Sequence, residues 1–168
     1  MATRKLSDMM AVSFPFTEAD IGGTDTAGAD DTLHWVSLAN FQSFMCVLEL
    51  GTWNAADDLD GCKLEQATSS AGAGKKDLTT SGAGATFDYN TSAPVDADGD
   101  QVILECNASD LDVDNGYKFV RVLASEAGNS GVDNVSAVYI RSNPRDAYNN
   151  VNAAAVAASI VYVNAGTL

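Results

Sequence analysis

Residues 65–80, EQATSSAGAGKKDLTT, carry the small side chains, glycines and paired lysines of a phosphate-binding loop. Chemistry at that loop needs a fixed spacing. Counting back from Lys75, the first glycine of G-x-x-x-x-G-K-[ST] falls on Ser69, and the residue that would hold magnesium is Lys76 instead of Ser or Thr. A dinucleotide-type turn starting at Gly72 fails as well, because its third glycine would be Asp77. The stretch reads as a flexible connection between strands, its glycines supplying open backbone conformations.

Three Asp-rich stretches invite calcium, and each lacks ligands that a hand-like loop requires. In PVDADGDQVILE, Asp96, Asp98, Gly99 and Glu105 fall in place, but the first ligand position is Pro94. Around DDLDGC, Asp58, Asp60 and Gly61 are flanked by Ala56 and Ala67 where the end ligands belong. In DLDVDNG, Asn115 replaces the turn glycine and Arg121 stands where the bidentate Glu should be. Asp in turns beside strands is explained by its tolerance of turn geometry and its bonds to the backbone. No metal site or cofactor is expected.

Catalysis finds as little to work with. His34 is the sole histidine, so zinc lacks a second imidazole and a triad has one choice of base. Within TLHWVSL it reads as a strand histidine satisfied by a neighbour. There is no G-x-S-x-G elbow, and no pair of carboxylates is singled out for sugar cleavage. The chain does not read as an enzyme.

Net charge is −14, with 9 Lys and Arg against 23 Asp and Glu over 168 residues. No basic residue lies between Lys5 and Lys63, or between Lys76 and Lys118. Phosphate-tracking surfaces and anionic lipid both need clustered cations, so neither nucleic acid nor membrane is an expected partner. A partner carrying positive charge suits the chain better. Cys46, Cys62 and Cys106 form no C-x-x-C pair and leave an odd thiol, which reads as buried reduced cysteine in a protein made in the cytoplasm. The N-terminal MATRKLSDMMAVSFPF is broken by Asp8 and Pro15, unlike a signal peptide, and no stretch is long and apolar enough for a membrane span.

The elements that would position any site are short. DTLHWVSL, FQSFMCVLEL, GCKLEQA, GATFDY, QVILEC, YKFVRVLA and VSAVYIRS are apolar, rich in β-branched and aromatic residues, and separated by Gly, Asn, Asp, Ser and Thr. AASIVYVN makes an eighth, although its flanking alanines also suit a short helix. In FQSFMCVLEL, Phe44, Cys46, Leu48 and Leu50 share one face with Met45 and Val47 opposite, as in a strand buried on both sides. In GCKLEQA, Lys63 and Glu65 give one wet face. About eight such strands predict an all-β protein, a β-sandwich or jelly roll. Residues 1–30 read as an arm, 31–149 as the sandwich body, and 150–168 as a tail.

From FMCVLELGTWNAADDLDGCKLEQATSSAGAGKKDL through QVILECNASDLDVDNGYKFVRVLAS to VSAVYIRSNPRDA, about residues 41–147, the chain resembles the cement or decoration proteins of tailed-bacteriophage capsids. The likeness lies in order: an acidic turn before KLEQA, a small-residue loop ending in Lys, a DLD turn before YKFVRV, and an Ala-Val strand running into NPRDA. It implies a jelly-roll-like sandwich without active site or cofactor. Such a subunit sits on the outer surface of the virion, is made in the host cytoplasm, and binds the major capsid protein and its own copies, as a dimer first and a trimer next. Candidate partner contacts are Arg4, Lys5, Phe14, Phe16, Trp53, Lys75, Lys76, Arg145 and Tyr148. Trp35 and Trp53 are candidate contact aromatics, and a place in the sandwich core suits them better. A tail, neck or fibre-base component would use the same strands. A carbohydrate-binding sandwich would instead use Trp35, Trp53 or tyrosines as stacking platforms beside a calcium-holding Asp cluster.

Overall fold

The computed structural model describes residues 9–21, 26–27, 34–54, 59–79, 95–126 and 132–145. Nine strands run through them: β1 (Met10–Asp20), β2 (Thr26–Ala27), β3 (Val36–Ser37), β4 (Phe41–Leu50), β5 (Leu59–Ala67), β6 (Lys76–Asp77), β7 (Gln101–Asn107), β8 (Phe119–Glu126) and β9 (Asn134–Pro144). Sheet A has the order β1-β9-β4-β7, and sheet B the order β2-β8-β5-β6 with β3 also on β8. All pairings are antiparallel. The protein is the all-β sandwich its strand rhythm predicts.

Its winding is that of a jelly roll. β1 pairs with β9, β2 and β3 with β8, β4 with β7, and β5 with β6. The first half of the chain is thus matched against the second half in reverse order, and the connections between the described strands cross from one sheet to the other except β2 to β3 and β5 to β6.

Alternation explains why the sheets face each other. β4 turns Phe44, Cys46, Leu48 and Leu50 inward, β7 turns in Val102, Leu104 and Cys106, and β9 turns in Val135, Ala137 and Tyr139. Sheet B answers with Cys62 and Leu64 from β5 and Val120, Val122 and Ala124 from β8. Each large aliphatic chain so buried contributes about 1.5–3 kcal/mol. Tyr139 spans the core: the Val122 N–H donates to its Oη at 2.7 Å, and its ring meets Phe44 edge-on at 5.0 Å. The bond satisfies a backbone donor of β8 midway between the short β2 and β3 pairings. Burial pushes the Tyr139 phenol and the Cys46 thiol well above their usual ranges, and the Cys106 thiol up to about 12. All three cysteines are buried.

Three readings change. The segment read as an N-terminal arm contains β1, an eleven-residue strand on β9, and Ile21 beyond it is buried with its N–H on the Asp133 carbonyl at 2.8 Å. The strand escapes notice because Pro15 interrupts its apolar run. Ser13 pairs with Tyr139 and Phe16 with Ala137, so Pro15 sits in a bulge of an edge strand, where a missing N–H costs no ladder bond. Glu65, assigned to a wet face, is buried, and Met45 and Val47, assigned to a second buried face, are only half-buried. The strands expected in GATFDY and AASIVYVN, and the tail 150–168, lie outside the described residues.

Candidate interaction face

The phosphate-loop look-alike follows β5. Ser69 Oγ accepts the N–H groups of Ala73 at 3.1 Å and Ala71 at 3.2 Å, so a serine hydroxyl occupies the place where those donors would meet an anion. Thr68 donates to the Ala73 carbonyl through both its N–H, at 3.0 Å, and its hydroxyl, at 2.9 Å. Gly72 and Gly74 take positive φ of 74° and 65°, the left-handed backbone that glycine tolerates. Tyr117 Oη donates to the Gly74 carbonyl at 2.8 Å, and Lys76 pairs with Asp112 at 2.6 Å while lying 4.3 Å over the Tyr117 ring. The loop is therefore tied down by its own hydroxyls and by the turn before β8, which corrects the reading of it as a flexible connection.

The Asp-rich turns are likewise built on backbone bonds. Asp98 accepts the Trp53 N–H at 2.8 Å, Asp110 accepts the Asn107 N–H at 2.7 Å, and Asp112 accepts the Asn115 side-chain amide at 2.8 Å. Among the described residues no cluster of His, Cys, Asp and Glu is arranged to hold a metal ion. His34 lies in a bend before β3, with positive φ of 70° and its ring edge-on to Phe16 at 5.6 Å.

The outer faces of the two sheets differ sharply. On sheet B, cross-strand register sets Glu65 of β5 opposite Arg121 of β8. Arg121 is fully buried and donates to Glu65 Oε2 from Nε at 2.8 Å and Nη2 at 2.7 Å, while Trp35 lies 4.5 Å from the guanidinium. Lys63, next along the same face, bonds Asp77 at 2.8 Å. These charges answer one another.

Sheet A presents apolar side chains in register. One row runs Val12, Ile140, Met45 across β1, β9 and β4, ending at Glu105 of β7. The next places Phe14, at the β1 bulge, beside Val138, Val47 and Ile103. Val12, Phe14 and Ile103 are 51%, 66% and 58% exposed. Polar rows border this band, with Ser142, Ser43 and Asn107 on one side and Ser136, Glu49 and Gln101 on the other. An apolar band rimmed by polar residues across a whole sheet is the form of a protein-binding surface.

Of the predicted contacts, Phe14 lies on this band, and Phe16, after the bulge, turns inward and packs against the core. Trp53 and Trp35 are buried, which takes Trp53 out of the contact set. Lys75, at the end of the β5–β6 loop, and Lys76, the first residue of β6, are exposed on sheet B and not on the band, and Arg145 is exposed just past β9, its N–H on the Asn40 carbonyl at 2.9 Å. Arg4, Lys5 and Tyr148 lie outside the described residues. Met45, Val47, Ile103, Val138 and Ile140 are absent from the predicted contacts, although the doubly apolar strand FQSFMCVLEL carries the signal of Met45 and Val47.

A scan against models of known protein families finds no match for this chain, and a search of curated proteins finds none.

Proposed function

We propose that the chain is a structural subunit of a bacteriophage virion, a cement or decoration protein that docks on the outside of the assembled major-capsid-protein shell and stabilises it through the outer face of sheet A. One observation carries the reading: the apolar band of Val12, Phe14, Met45, Val47, Ile103, Val138 and Ile140, in register across four strands and open at both edges of the sheet. A band of this kind gives an adhesive surface, as a shell-binding subunit needs. The jelly-roll winding agrees with the fold that the resemblance implies, and a fold by itself does not assign a function. Repetition over a symmetric shell multiplies modest single-site affinity, and pairing with its own copies would bring several faces to the shell at once.

The acidic composition fits this role by keeping copies apart in solution and favouring a cationic docking surface. Carbohydrate binding is less well supported, because Trp35 and Trp53 are buried and Tyr117 spends its hydroxyl on the Gly74 carbonyl.

Co-sedimentation with phage heads lacking this subunit tests the proposal. Saturable binding at a fixed ratio to major capsid protein is expected, and it is expected to fail for Phe14→Asp. Wild-type protein that leaves expanded heads unoccupied would contradict it and direct attention to tail, neck or fibre-base assemblies.

A further inference from the structure

At one end of the sheet A band the surface dips into a groove of about 450 Å³. Met10, Met45 and Ile140 give it apolar walls, and Glu105, Asn107 and Asp110 line its β7 side. The registers place Met10 beside Ser142 and Met45 between Ile140 and Glu105, so the groove follows the sheet surface across all four strands. It is continuous with the band through Val12 and Ile103, both strongly exposed.

Two features of this groove point to one kind of occupant. Its apolar part includes two methionines, Met10 and Met45, whose unbranched and polarisable side chains adapt to the shape of an incoming aliphatic chain. Its charged groups are both carboxylates, and the outward rows of sheet A contain no Lys or Arg to neutralise them. Asp110 already accepts the Asn107 N–H, whereas Glu105 is exposed on the edge strand. The contrast with sheet B is informative, because there Glu65 and Asp77 each have a cation within the molecule.

From this we infer that the groove receives an arginine- or lysine-bearing protein segment of the docking partner, with its aliphatic stem along Met10, Met45 and Ile140 and its cationic head at Glu105. The inference rests on the docking reading of sheet A and adds the chemistry of the segment bound there. Long cationic side chains suit the site because they combine an apolar stem with a charged end, and a second copy of this acidic chain suits it poorly.

The test uses the full chain with ¹³C-methyl methionine and two peptides of equal charge, Ac-Leu-Arg-Leu-Arg-Leu-NH₂ and Ac-Gly-Arg-Gly-Arg-Gly-NH₂. Both peptides are expected to shift the Met10 and Met45 methyl signals saturably, because both carry the arginine stem and head, and the leucine peptide to do so at lower concentration. Glu105→Gln is expected to weaken the leucine peptide by about tenfold. Asp114→Asn, an exposed carboxylate in the turn before β8, is expected to leave binding unchanged. Methionine signals that stay fixed, or equal losses from Glu105→Gln and Asp114→Asn, would overturn the inference. Head binding separates the two levels: loss with Phe14→Asp but full retention with Glu105→Gln keeps the docking face and removes the cation site, whereas absence of wild-type head binding removes the docking reading itself.

Discussion

On the outer face of sheet B the charged side chains are matched, Lys63 with Asp77 and Glu65 with Arg121, the last under Trp35, and the half-buried Phe119 and Leu123 share that face with them. On the outer face of sheet A the corresponding positions are valine, isoleucine, methionine and phenylalanine, and three of them are more than half exposed. The difference separates two ways in which a side chain on one domain can be retained. Charges on sheet B are satisfied within the molecule and hold strands together. Apolar side chains on sheet A leave much of their surface in water, so their contribution is realised when another surface covers them.

This contrast predicts that the two faces respond oppositely to substitution. The largest effect belongs to sheet B: Glu65→Ala leaves Arg121 buried without its carboxylate, at a cost of about 3–5 kcal/mol. Urea denaturation measures it, and the remaining folded protein should dock normally. Next is Phe14→Asp combined with Ile103→Asp, which should weaken docking on heads by about a hundredfold. Both positions are exposed, so the unfolding free energy should change by less than about 0.5 kcal/mol in the same protein. A smaller effect is expected from Lys63→Ala, since its ion pair with Asp77 is partly solvated and such pairs contribute about 0.2–1 kcal/mol. Measuring it in low and high salt should show the loss shrinking as salt rises.

The smallest effect concerns the loop between β5 and β6. The Lys76 ammonium, and then the Asn115 amide, hold the Asp112 carboxyl below its ordinary value, while the bond to Asp112 raises Lys76 above its own. Asp112 therefore contributes stability above the ordinary carboxylate range, lost as pH falls through its lowered folded value. Lys76 contributes below the ordinary lysine range, lost as pH rises through its raised folded value. Amide protection factors at Ala73 and Lys75, which remove the intrinsic pH dependence of exchange, should be highest between those limits and fall on either side.

Much of the fold was legible because period-two alternation is a local property. β4, β7, β8 and β9 all declare their inward faces in consecutive residues. β1 was not legible, because Pro15 reads as a breaker until a partner strand shows that it lies in a bulge. The Glu65–Arg121 pair was hidden for a related reason. Its members are 56 residues apart, and an isolated carboxylate on an alternating strand reads as solvent-facing. The sheet A band was half-visible. Met45 and Val47 signalled a second apolar face on β4, but only the registers with β9 and β7 join them to Val138, Ile140 and Ile103 in one surface. Trp53 shows the converse error, since aromatic character alone does not distinguish a contact from a core residue, and here it is core.

The central claim, that sheet A is the docking face and sheet B is not, is tested most directly by footprinting the bound and free protein. Hydroxyl-radical oxidation of Phe14, Met45 and Ile103 should fall strongly when the chain is bound to heads, while acetylation of Lys63 on sheet B should stay the same. Protection of Lys63 with continued oxidation of Phe14, Met45 and Ile103 would contradict the account and move the docking surface to the other sheet.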